Sequence, residues 1–181
     1  MKKLIAIFIF SVVSVKSQSL QEFIAVSDSF KQSFDFLESK TGLIPVDTDY
    51  NFGLERRSYS SANFHMIAYE RDDKPGIDEF ALMASTEIEN NKESWFNICK
   101  MMNYNPDYEF VESLLFNDDN TLSKKNIDFK NMIEILRSAN NTEEYIYFIT
   151  FKRKGVFYNM NVVNGKTLYR IKNNYTNQIK K

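Results

Sequence analysis

Residues 144–171 read EYIYFITFKRKGVFYNMNVVNGKTLYRI, and this stretch decides the fold. Glu144–Lys152, Val156–Val163 and Lys166–Ile171 are three runs rich in β-branched and aromatic residues, the composition a pleated, half-buried strand favours. Arg153-Lys154-Gly155 joins the first two, and Asn164-Gly165, a strong hairpin-turn signal, joins the last two. In the middle run Val156, Tyr158, Met160 and Val162 alternate with Asn159 and Asn161, so one face packs and the other is expected to be partly wet. The C-terminal third is an antiparallel meander with an apolar face that must be covered.

Covering helices are legible upstream. Ser19-Leu20-Gln21-Glu22 has capping-box spacing. Leu20, Phe23, Ile24, Phe30, Phe34 and Leu37 then recur at helical intervals, with Gly42 as a left-handed stop. Thr86-Glu87-Ile88-Glu89 is a second capping box. It opens a helix whose inner face carries Ile88, Trp95, Ile98, Cys99 and Met102, and which ends by Asn105, ahead of Pro106. A third helix, over 124–139, sets Phe129, Met132, Ile133 and Leu136 on one side. Residues 43–53 read as loop, Leu54–Tyr69 as extended chain, and Phe80–Ala84 and Tyr108–Phe116 as strands. The expected fold is α+β, a mainly antiparallel sheet of about five to seven strands with about three helices packed on one face.

The other end of the chain reads as an address. Met1-Lys2-Lys3 is positive, LIAIFIFSVVSV over residues 4–15 is uncharged and apolar, and Val15-Lys16-Ser17 offers small residues for cleavage. That order is the pattern of a secretory signal peptide over residues 1–17, with a cut after Ser19 fitting nearly as well. A helix of this apolar run would span about 18 Å, against roughly 30 Å of bilayer hydrocarbon, so it is expected to direct export and not to anchor. Residues 18–181 then form one α+β domain with a short basic tail, 172–181. The destination is the periplasm or the extracellular space.

Composition narrows the chemistry. The chain of 181 residues carries a formal net charge of −1, which gives no global bias toward nucleic acid or anionic membranes. One cysteine, Cys99, forbids an internal disulfide and, lying far from the signal run, a lipid anchor at a new N-terminus; burial is expected for it. Residues 70–120 hold thirteen acids against four bases, whereas residues 145–181 hold eight bases and no acid. The aromatic and basic side chains Tyr145, Tyr147, Lys152, Arg153, Lys154 and Arg170 therefore stand as candidate binding residues. Equally, the basic meander can face acidic neighbours within the sheet.

Catalytic and metal motifs are sparse. The five glycines are isolated, so no glycine-rich loop cradles a phosphate, and one histidine with one cysteine cannot make a paired zinc motif. Asp47, Asp49 and Asn51 put oxygen side chains at alternate positions with Glu55 beyond, a partial likeness to a calcium loop. The glycine of such a loop is one place late (Gly53), and Ser58 stands where the bidentate glutamate belongs. No cofactor is expected. The reading is an exported soluble binding domain whose partner is another envelope or extracellular protein, in its narrower form a periplasmic inhibitor or immunity protein. The alternative is an exported hydrolase or lyase using paired carboxylates, such as Glu109 with Glu112 or Asp78 with Glu79.

Overall fold

The computed structural model describes residues 19–84, 88–117, 121–138, 145–163 and 166–174, with the side chains of 88–92, 136–138 and 145 left outside that description. The signal segment, the capping box opening at Thr86, the Asn164-Gly165 turn, the side chain of Tyr145 and the tail beyond 174 lie outside the described residues. The architecture is α+β, built on one antiparallel sheet.

That sheet has nine strands: β1 Pro45–Asn51, β2 Leu54–Ser60, β3 Phe64–Arg71, β4 Lys74–Ala84, β5 Glu109–Asn117, β6 Leu122–Lys125, β7 Tyr145–Arg153, β8 Val156–Val163 and β9 Lys166–Lys172. Among the described residues four helices accompany it: α1 over residues 19–28, α2 Phe34–Thr41, α3 Ile88–Tyr104 and α4 Phe129–Ser138. Both numbers exceed the five to seven strands and three helices expected from the sequence. The extended run after Leu54 is two strands hinged at Ser61–Asn63, and residues 45–51, expected as loop, form an edge strand. Two residues of the expected third helix, Lys124 and Lys125, instead belong to the short strand β6.

The first helix divides for a local reason. Ser29 and Phe30 close tight turns onto Val26 and Ser27, and Lys31 takes a left-handed φ of 66°. Ser33 then caps α2, its hydroxyl accepting from the Phe36 amide at 3.2 Å. Because Phe30 and Phe34 keep helical phase across the break, the apolar pattern alone conceals it. Gly42 ends α2 in the left-handed conformation at φ 71°, its amide donating to the Glu38 carbonyl at 2.8 Å.

Strand order is β1-β2-β3-β4-β9-β8-β7-β5-β6. Two meanders, β1–β4 and β7–β9, therefore meet at the centre, with Phe80 opposite Ile171 and Leu82 opposite Tyr169. α3 carries the chain to the far side and α4 brings it back. All four helices lie on the face that bears Phe80, Tyr158 and Tyr169. Phe23 of α1 meets Tyr169, Phe30 meets Phe80, Phe34 of α2 lies under Arg57, α3 packs on β9, and Phe129 of α4 meets Phe151. Trp95, Tyr147, Tyr169, Phe23, Phe80 and Phe151 are fully buried there, each such side chain stabilising the fold by roughly 1.5–3 kcal/mol relative to exposure. Cys99 is buried in the same core, and burial pushes its thiol well above the usual range. No helix among the described residues is long and apolar enough to cross a membrane.

Candidate functional site

Two surfaces draw attention, and they differ in kind. The first is the β1 edge of the sheet, where among the described residues no strand pairs beyond β1. Six of the seven β1 residues are exposed, and around them Ile44 is 79% exposed, Val46 68%, Tyr50 60% and Phe52 100%. Solvent-facing apolar side chains are ordinary when scattered, but here four fall within nine residues along one edge, two toward each end of β1.

A tight turn holds that edge in place. Phe52 and Gly53 join β1 to β2 with φ of 51° and 73°, the doubly left-handed geometry of a two-residue hairpin turn. The first position of such a turn favours Asn, Asp or Gly; a phenylalanine there stores backbone strain and stands bare in solvent. The tip is pinned from behind, because the Asp72 amide donates to the Gly53 carbonyl at 3.0 Å and Tyr50 donates its hydroxyl to the Asp72 carboxylate.

Beneath the hairpin a charged cluster ties α2 to the sheet. Arg57 donates to Glu38 of α2 at 2.8 Å and to Glu55 at 2.7 Å, while its guanidinium sits 4.3 Å from the centre of the Phe34 ring. Tyr59 also donates to Glu38, at 2.9 Å. Burial and that carboxylate together push the Tyr59 phenol up. Beside the cluster is a hollow of about 320 Å³ whose lining includes Ser33, Phe34, Arg57, Glu70, Arg71 and Asp72.

The second surface is the face of the sheet opposite the four helices. Cross-strand register aligns Glu112, Thr150, Asn159 and Arg170 in one row over β5, β7, β8 and β9. Asn159 and, in the next row, Asn161 were expected on a partly wet face but are enclosed, as are Thr150 and Glu112, while Arg170 at the end of the row is exposed. Asn159 is 0% exposed, Thr150 1%, Glu112 7% and Asn161 8%. Thr150 donates to the Asn159 carbonyl oxygen at 3.1 Å, but the Asn159 Nδ2, Asn161 Oδ1 and Glu112 Oε1 atoms have no hydrogen-bond partner among the described residues. Since these atoms are shut off from solvent as well, the row is an internal polar seam and not an open floor.

The candidate residues read from the sequence fall on different surfaces. Lys152 and Arg170 stand on the helix-free face, with Lys152 opposite Glu109 and Arg170 reaching Glu79 at 4.0 Å. Tyr147 is fully buried under the helices, and Lys154 lies in the exposed turn of the β7–β8 hairpin. Arg153 points to the helical side, over the Tyr108 ring at 5.3 Å and near Asp28 and Asp107. Tyr145 pairs with Asn117 through the backbone. The acidic and basic halves of the sequence thus meet largely across strands.

Asp47, Asp49 and Asn51 lie along one face of β1, so successive carboxyl or carboxamide groups are about 6.6 Å apart along the chain. Asp47 already accepts from Arg56 at 2.7 Å. Among the described residues, no group of three or more His, Cys, Asp or Glu could hold a metal ion. His65 hydrogen-bonds Ser60 across the β2–β3 pair. The apolar edge itself was missed from sequence, although Phe52 directly before Gly53 was its visible signal. No known protein family, curated protein or solved structure matches this chain.

Proposed function

We propose that this chain is an exported binding domain that acts, without catalysis of its own, on another protein of the envelope or the extracellular space. One observation carries the reading: the patch of Ile44, Val46, Tyr50 and Phe52 along an open edge, with Phe52 wholly exposed on a strained turn. The signal-like first seventeen residues supply the compartment. A narrower form is an inhibitor or immunity protein. Asp47 and Asp49 beside the patch suit a basic target, which acidic groups would steer into contact.

The test is expression from Met1 with a C-terminal tag, followed by mass spectrometry of what is captured from envelope and medium. The double variant Val46→Ser/Phe52→Ser is run in parallel. One stoichiometric protein, captured by the parent and lost with the double variant, is the expected result. Equal capture by both overturns the use of the patch, and a retained Met1 overturns export.

A second reading has one observation in its favour. The bulge between Phe110 and Glu112 brings Glu109 and Glu112 onto the same face, opposite Lys152 and Thr150. Hydrolysis of an envelope polymer that disappears in both Glu109→Gln and Glu112→Gln, at unchanged melting temperature, would establish it.

A further inference from the structure

We infer that β1 takes up its partner by strand addition, receiving an extended, basic segment of another protein as a tenth strand; this rests on the binding reading above. The backbone is the first argument. In a two-residue hairpin the residues flanking the turn exchange both of their hydrogen bonds, so Asn51–Leu54, Asp49–Arg56 and Asp47–Ser58 are the bonded pairs. The alternate residues, Thr48 and Tyr50, direct their N–H and C=O groups away from β2. They form a ready-made template on the last strand of the sheet.

The opposite edge shows that this openness is particular to β1. β6 is only four residues long and carries Lys124 and Lys125, two of the usual devices for blunting an edge. β1 is seven residues long, and its Pro45 and bulge protect only its first end. Residues 47–51 remain available, with apolar side chains at both ends.

Charge selects the occupant. Asp47 and Asp49 share one face of β1. Arg56 of β2 holds Asp47 at 2.7 Å and stands opposite Asp49, which offsets one of the two charges and leaves the edge net negative. Opposite charges across adjacent strands are favourable where like charges are not. A second copy of β1 fits poorly. Antiparallel self-pairing centred on Asp47, Thr48 or Asp49 sets carboxylates against carboxylates, and centring it on Tyr50 leaves only residues 49–51 to pair. A segment alternating basic and β-branched residues meets both demands. Its bases face Asp47 and Asp49, and its apolar side chains face Thr48 and Tyr50.

The experiment uses the whole protein with two acetylated octapeptides, one alternating lysine with valine and one alternating glutamate with valine. Binding is followed by fluorescence anisotropy and by hydrogen exchange at individual amides. With the lysine peptide, exchange at the Thr48 and Tyr50 amides is expected to slow, whereas the glutamate peptide leaves it unchanged. Thr48→Pro removes one outward donor at an edge position where proline is tolerated, and is expected to weaken binding about tenfold. Asp47→Asn/Asp49→Asn should weaken it and flatten its salt dependence.

Peptide binding that Val46→Ser/Phe52→Ser abolishes but Thr48→Pro leaves intact overturns strand addition while preserving the patch as a binding surface. No slowing at Thr48 and Tyr50 with millimolar lysine peptide overturns the inference in the parent protein, whatever the variants do. Concentration-dependent self-association lost in both Thr48→Pro and Lys124→Glu would make a second copy the occupant and overturn the assignment to another protein.

Discussion

Gly76 is the position where a single methyl group should do most harm. It sits at φ 93°, and a Cβ built there would lie 2.5 Å from the Lys31 carbonyl oxygen and 2.7 Å from its carbon. That carbonyl is flanked by a two-bond clamp. The Lys31 amide donates to the Ile77 carbonyl at 2.9 Å, and the Ile77 amide donates to the Gln32 carbonyl at 2.9 Å, which fixes the α1–α2 link to the start of β4. Gly76→Ala must hold alanine in a left-handed conformation and, to relieve the clash, shed the clamp as well. The left-handed backbone costs about 1–2 kcal/mol and two lost hydrogen bonds about 1 kcal/mol each, so a loss of about 3–4 kcal/mol is expected. At about 2–4 °C per kcal/mol for a chain of this size, the melting temperature should fall by roughly 6–16 °C, measured by far-ultraviolet circular dichroism. Gly42→Ala is the control. Its φ is 71° but nothing lies within 4 Å of the added Cβ, so it should lose only about 1 kcal/mol. If the two variants melted together, the clamp argument would be refuted.

Three further outcomes follow from particular groups. Phe52→Asn keeps the left-handed turn with a residue suited to it and forfeits no buried area, so it should stabilise the chain by about 1 kcal/mol while weakening partner binding; a lower melting temperature contradicts the strain. Burial pushes the phenols of Tyr59, Tyr158 and Tyr169 above their ordinary value near 10, so the unfolded chain releases those protons first. The stability they contribute is therefore whole below about pH 10 and falls as pH rises beyond it. Absorbance titration at 295 nm should show these three of the ten tyrosines ionising only as the protein unfolds. Millimolar calcium should leave the melting temperature unchanged, because Asp47 is engaged by Arg56 and its neighbours stand apart on an extended strand; a rise reversed by chelator would restore a calcium site.

What could be read from the sequence was whatever a short window encodes. The β7–β9 meander announces itself because alternation is local, and Trp95, Ile98, Cys99 and Met102 mark α3 because the 3.6-residue period is local too. β1 escaped notice because Pro45, Asp47, Asp49 and Asn51 are poor strand formers. It exists through the turn at Phe52-Gly53 and the ladder offered by β2, not through its own propensity. Likewise, the uneven charge along the chain could be counted, but not its resolution. Lys152 meets Glu109 and Arg170 meets Glu79 only through registers that join residues 43 and 91 positions apart. The candidate site illustrates the same limit from the other side. Tyr147 and Arg153 looked like neighbours of Lys152 in sequence, yet they stand on the helical face of the sheet while Lys152 stands on the other.

The buried row on the helix-free face leaves a question of economy, since polar atoms without partners cost stability that an apolar row would keep. Register offers the answer. A strand slipped by one residue exchanges its two faces, and on β8 that would drive Asn159 and Asn161 beneath the helices and turn Tyr158 and Met160 outward. The slipped pairing would set both asparagines in the apolar core without the Thr150 bond that Asn159 accepts in the observed one. A double-mutant cycle separates this from a simple defect. Thr150→Val strands the Asn159 carbonyl oxygen and should cost about 1–2 kcal/mol, whereas adding Asn159→Leu removes both partners and should recover most of that loss. Urea melts give both values. If the register argument is right, the recovered double variant should still populate a second set of amide resonances along β7 and β8 in NMR spectra. Simple additivity of the two losses would show that the Thr150–Asn159 bond carries nothing, and a single set of resonances would show that the seam does not set the register.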